Sequence, residues 1–107
     1  MKLTHIKTTS DKDNFFFDFL VTNLSGKTPQ KKIKLKVKRA LHLRRDLVEA
    51  HSKNVLVIPH LAPGEVIKVK LTISKASLPK GITRFYFGLF KDPFSWLSTV
   101  YEEIKND

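Results

Sequence analysis

Cysteine is absent from the 107 residues. That excludes a disulfide framework, a thiolate zinc site, a cysteine nucleophile and an iron–sulfur cluster. Long apolar runs are missing as well. Val55-Leu56-Val57-Ile58 is as long as they become, against the ~20 residues of a membrane-spanning helix. The start, Met1-Lys2-Leu3-Thr4-His5-Ile6-Lys7, has no apolar h-region and no myristoylation glycine, and the end, Ile104-Lys105-Asn106-Asp107, carries no lipidation box. The expectation is a cytoplasmic protein. Glycine is scarce, with four in the chain, and none forms a phosphate-cradling loop or a GxSxG elbow. Acidic residues are the last shortage: 10 Asp and Glu stand against 20 Lys and Arg, for a net charge of +10.

Groups able to do chemistry are scattered. His5, His42, His51 and His60 show no HExxH or His-x-His spacing, so no metal site is expected. Asp11-Lys12-Asp13 mimics the start of a calcium loop, but Phe16 and Thr22 occupy the positions of the required Gly and Glu. Glu102 and Glu103 are neighbours. On a strand they point to opposite faces and form no acid–base pair. Asn23-Leu24-Ser25 is a glycosylation sequon that acquires meaning only in a secretory route. The expectation is a non-enzyme with no cofactor and no small-molecule substrate.

What the sequence has is alternation. Hydrophobic residues make up 41% of the chain, enough for one packed domain over residues 1–107. In 15–22, Phe15, Phe17, Phe19 and Val21 share one face, and Phe16, Asp18, Leu20 and Thr22 the other. In 31–38, Ile33, Leu35 and Val37 point one way and Lys32, Lys34, Lys36 and Lys38 the other. A helix would spread those lysines around its circumference, so the segment is a strand. Val66–Ser74 repeats the pattern with Ile67, Val69, Leu71 and Ile73 inward. Further strands are expected at 2–8 (a short edge strand), 55–58, 82–91 and 97–104, with turns at Asp11–Asn14, 23–30, 61–65, 77–81 and Asp92-Pro93. Residues 40–52 fit strand plus loop, with one short helix as the alternative. About seven short strands point to an all-β, two-sheet immunoglobulin-like Greek-key sandwich; a barrel would want eight more regular strands.

Two segments carry a family resemblance. They are Val21-Thr22-Asn23-Leu24-Ser25-Gly26 and Leu61-Ala62-Pro63-Gly64-Glu65, the latter leading into Val66–Ile73. The pattern, over roughly 15–92, resembles the immunoglobulin-like modules of bacteria and archaea known as CARDB or NEW3-type domains, and it is similar to transglutaminase C-terminal sandwiches. The resemblance implies a non-catalytic binding or spacer module.

Charge is concentrated. Lys27, Lys31, Lys32, Lys34, Lys36, Lys38, Arg39, Arg44 and Arg45 fall within 27–45, which holds no acidic residue. On a regular strand, Lys32 to Lys38 would form a straight row about 20 Å long. In an immunoglobulin-like sandwich this third strand lies beside the sixth, whose outer face would carry Arg84, Tyr86 and Phe90. Lysine rows beside aromatics have the composition of a single-strand platform; they also serve simply to keep a small β-protein soluble. Phe94 and Trp96 flank the Asp92-Pro93 turn. There they would form either a loop-tip anchor or a cap on the core. Phe16 and Leu20 face outward and need a cover, supplied by 40–52 or by another chain.

Two functional readings result. The first is a protein-interaction or structural module of a larger assembly. Phe16, Leu20, Tyr86, Phe90, Phe94 and Trp96 would make the contact, and the basic strand would steer it to an acidic partner, another protein or a second copy of itself. The second is a nucleic-acid-binding accessory protein using Lys32, Lys34, Lys36, Lys38, Arg44, Arg45 and Arg84. An anionic membrane surface ranks third.

Overall fold

A computed structural model describes residues 1–29, 32–42, 46–47 (backbone only), 55–92 and 95–107. Eight strands account for most of them: β1 Lys2–Ser10, β2 Asn14–Thr22, β3 Ile33–His42, β4 Asp46–Leu47, β5 Val55–Ile58, β6 Val66–Ser74, β7 Gly81–Asp92 and β8 Ser95–Asn106. A single 3-10 turn, Lys75–Ser77, separates β6 from β7. The first sheet has the order β1-β2-β6 and the second β4-β3-β7-β8, with β5 also paired to β3. Every pairing is antiparallel. The chain crosses between sheets after β2, β5 and β6, which gives the Greek-key sandwich expected from the strand count. The expected short strand at 2–8 extends to Ser10 and lies at a sheet edge. Within 40–52, residues 40–42 finish β3 and 46–47 form β4, so the described part is strand and not helix; 43–45 and 48–52 lie outside the described residues.

The core follows from alternation. Phe15, Phe17, Phe19 and Val21 of β2 turn inward and are buried, as are Ile33, Leu35 and Val37 of β3 and Phe85, Phe87 and Leu89 of β7. Their rings interlock across the two sheets. Phe17 lies 4.8 Å from Phe87 and 5.5 Å from Phe85, and Phe19 lies 4.9 Å from Phe87. These are tilted and edge-on contacts, the arrangement that ring quadrupoles favour.

Two loops are tied together by one side chain. Asn23 is fully buried. Its Nδ2 donates to the carbonyls of Lys27 and Leu61, both at 2.9 Å, and its Oδ1 accepts from the Ser25 amide and hydroxyl. Gly64 donates its N–H to the Asn23 carbonyl at 2.8 Å while holding φ at +82°, the left-handed conformation glycine adopts without a Cβ clash. The segments that carry the family resemblance, 21–26 and 61–65, are therefore hydrogen-bonded to each other. In the folded chain the amide nitrogen of the sequon is already engaged. The calcium-like Asp11-Lys12-Asp13 is a turn: Asp11 Oδ1 accepts from the amides of Asp13 and Asn14, both at 2.8 Å. Those backbone donors hold the Asp11 carboxyl below its ordinary range.

Replacing Asn23 by Ala removes both donors and leaves the Leu61 carbonyl without its partner. The expected loss is about 2–3 kcal/mol, read as a lower urea midpoint at unchanged m-value. An Asn23→Ala midpoint equal to that of the parent would show that the two loops do not depend on this residue.

Candidate functional site

The outer face of the second sheet is laid out by strand register. Moving across it, Val57 of β5 lies opposite Lys34 of β3, Lys34 opposite Phe90 of β7, and Phe90 opposite Trp96 of β8. One rung on, Val55, Lys36, Gly88 and Thr99 align; beyond them come Arg39, Tyr86 and Tyr101, then Leu41, Arg84 and Glu103. The expected neighbourhood of the lysine strand and the Arg84–Phe90 strand is thus present.

Two bulges decide what else reaches this face. The β3–β7 register shifts between Val37 and Arg39. The buried positions of β3 accordingly run Ile33, Leu35, Val37 and then Ala40, not Arg39. An extra residue in one strand reverses the side-chain parity beyond it. Lys38 and Arg39 are consequently both exposed. The β7–β8 register shifts beside Phe90, where Leu89 faces Ser98 and Phe90 faces Trp96, leaving Leu97 as the extra residue. Strict alternation from Tyr101 would turn Trp96 inward; the bulge turns it out.

The Trp96 indole packs against Gly88. A Cβ added at Gly88 would come within 2.3 Å of the indole, so glycine is what allows the ring to rest there. Its centroid is 5.2 Å from that of Phe90. The Lys36 ammonium sits 4.7 Å from the Phe90 ring and 5.5 Å from Trp96, and that of Lys38 sits 5.0 Å from Trp96. The Arg39 guanidinium lies 4.4 Å over Tyr86. Cation and ring faces attract through the ring quadrupole. Among the described residues, no carboxylate pairs with Lys32, Lys34, Lys36, Lys38 or Arg39.

Arg84 differs. It makes a close ion pair with Glu103, with Nε 3.0 Å from Oε1, and it donates to the Tyr86 hydroxyl at 3.4 Å. Those two acceptors raise its pKa further, and its N–H holds the Tyr86 hydroxyl below the ordinary tyrosine value of 10.0. Its guanidinium carbon is 5.1 Å from the Tyr101 ring, which is 61% exposed. Arg84 with Glu103 closes one end of the face.

The other sequence candidates fall in several places. Lys32 is exposed but precedes β3, and Lys38 sits at the bulge, so the straight row of four lysines reduces to Lys34 and Lys36 in regular alternation. Phe90 is outward but only 8% exposed, beneath Lys36 and Trp96. Trp96 belongs to β8; it is neither a loop tip nor a cap on the core. Arg44, Arg45 and Phe94 lie outside the described residues. Phe16 and Leu20 are half-buried on the outside of the first sheet, remote from the rest. Residues 40–42 and 46–47 belong to the opposite sheet and do not cover them; Lys70 lies 5.4 Å over Phe16 instead. Sequence reading missed Arg39 and Tyr101. The signal for Arg39 was the change of apolar spacing from two to three at Val37 and Ala40. Among the described residues no cluster of His, Asp and Glu is placed to hold a metal, and no helix is long and apolar enough to cross a membrane.

Gly88→Ala should lift the indole off the sheet. As Trp96 is the chain's one tryptophan, intrinsic fluorescence reads it directly. A red-shifted emission with an unchanged β-sheet circular-dichroism spectrum is expected; an unshifted emission would mean that Trp96 does not rest on Gly88.

No family model matches the chain, and no curated protein matches it. Among solved structures it is similar to the β-glucosidase from Kluyveromyces marxianus, both in a selenomethionine-labelled form and in complex with glucose. In each case the TM-score is 0.65 and the identity 15%, over 98% of this chain and 14% of the enzyme chain. The chain thus corresponds to a small part of that enzyme. The likeness establishes a β-sandwich fold.

Proposed function

We propose that the chain is a non-catalytic binding module that engages an acidic partner through the outer face of its second sheet. One observation carries the reading: Lys34, Lys36, Lys38 and Arg39 gather on one face with no carboxylate to neutralise them among the described residues. Surface charge kept only for solubility is best interspersed with the opposite sign. Here one sign is concentrated beside rings that order it, and an acidic partner would be both steered and held. The resemblance to CARDB or NEW3-type modules agrees with a binding or spacer role. So does the engagement of Glu102 with His5 and of Glu103 with Arg84, on opposite faces. We place this work in the cytoplasm, as part of a larger assembly.

A heparin column reads the property directly. Lys34→Glu/Lys36→Glu should elute at much lower salt than the parent. Lys68→Glu/Lys80→Glu changes the net charge equally at exposed sites away from the face and should elute much closer to the parent. Equal shifts for the two pairs would mean that net charge alone governs binding, and the proposed face would fall.

A further inference from the structure

We infer that the acidic partner is a single strand of nucleic acid, with bases stacked on Trp96 and Tyr101 and phosphates taken by Lys36, Lys38 and Arg39. The inference rests on the binding-face reading and gives it a ligand.

Rings and cations alternate on this face. An acidic protein surface would meet the cations and pack against the rings wherever its own side chains fall. A single strand uses both, because its charge is carried along the backbone while every base offers a flat face. Trp96 and Tyr101 mark two ring positions on the same strand, and the Phe90 and Tyr86 rungs they belong to are four residues apart on β7. That separates the two positions by about 13 Å along the strand direction. Lys36 and Arg39 lie on β3, across β7 from these two rings, on the rungs of Thr99 and Tyr101. In the free protein each of these cations lies over a ring. Moving onto a phosphate needs only rotation of a flexible side chain, and for Lys36 and Lys38 it uncovers the Trp96 ring that a base then takes; Tyr101 is already largely exposed. Four-stranded antiparallel sheets with exposed aromatics are a recurring platform for two or three stacked bases.

The geometry favours one strand over two. In a duplex the base faces are occupied by one another and are not free to stack on Trp96 or Tyr101. Lysine and arginine, with no Asn or Gln beside them among the described residues, favour attraction to the backbone over reading of base edges. The ligand is therefore sequence-tolerant. The Arg84–Glu103 ion pair closes one end of the face, and the strand runs from there toward Trp96.

The test uses a labelled oligodeoxythymidine, its oligouridine counterpart, a duplex of equal length and polyglutamate. Micromolar binding of the single strands is expected at low salt. Three neutralised phosphates give a log–log salt slope of about −2 and a loss of about twentyfold between roughly 50 and 200 mM salt. Trp96 emission should be quenched on binding. The duplex and polyglutamate should bind at least tenfold more weakly. Tyr101→Ala, a change at an exposed position, should weaken single-strand binding about tenfold while leaving heparin retention as it was. Trp96→Ala should also weaken single-strand binding, so that the inference does not rest on one variant. Unquenched Trp96, indifference to Tyr101→Ala, or equal binding of duplex or polyglutamate would overturn the inference. Should heparin retention through Lys34 and Lys36 persist while oligonucleotides fail to bind, the acidic-partner reading survives without this ligand. Should both fail, the two fall together.

Discussion

The interlocked rings of Phe17, Phe19, Phe85 and Phe87 decide which side of the second sheet faces the world. Once Phe85 and Phe87 are committed to Phe17 across the sandwich, period-2 alternation sends Arg84, Tyr86, Gly88 and Phe90 outward. Pairing with β7 imposes the same choice on β3 and β8. Burial of Ile33, Leu35 and Val37 then leaves Lys34 and Lys36 no other direction. The basic face is thus a consequence of the core and not an independent decoration.

The bulges add what alternation alone would withhold. They lie on the two strands flanking β7, and each turns outward a side chain that parity would bury: Arg39 on β3 and Trp96 on β8. Gly88, between them, leaves the space that the indole occupies. Bulges re-aim side chains at a local cost in ladder hydrogen bonds, and they are common beside functional surfaces. Two of them serving the same face is the structural reason to regard it as built for contact.

Much of the fold was legible in the residues. The lysine–apolar alternation of 33–37 and the Ile67–Ile73 series of β6 specify strands and their inner faces, and turn residues mark most boundaries. The pairing of β3 with β7 follows from the Greek-key order. Parity was where the reading failed. From the sequence, Lys38 continues a row and Trp96 belongs to a turn, because one extra residue in a strand leaves little local trace beyond a changed apolar spacing. The burial of Phe90 was also hidden, since it depends on Lys36 and Trp96 arriving from two other strands. Arg84 looked like one more free cation; its neutralisation by Glu103 is set by the β7–β8 register, which composition does not reveal.

The central claim is that Lys36, Lys38 and the Trp96 indole share the outer face of the second sheet. Proton NMR of the free protein tests it most directly. The account predicts ε-methylene resonances of Lys36 and Lys38 shifted upfield by the ring current, nuclear Overhauser contacts from them to the indole, and loss of both in Trp96→Ala. Indole contacts to the core residues Leu35 or Phe87, with lysine methylenes at their ordinary positions, would contradict it.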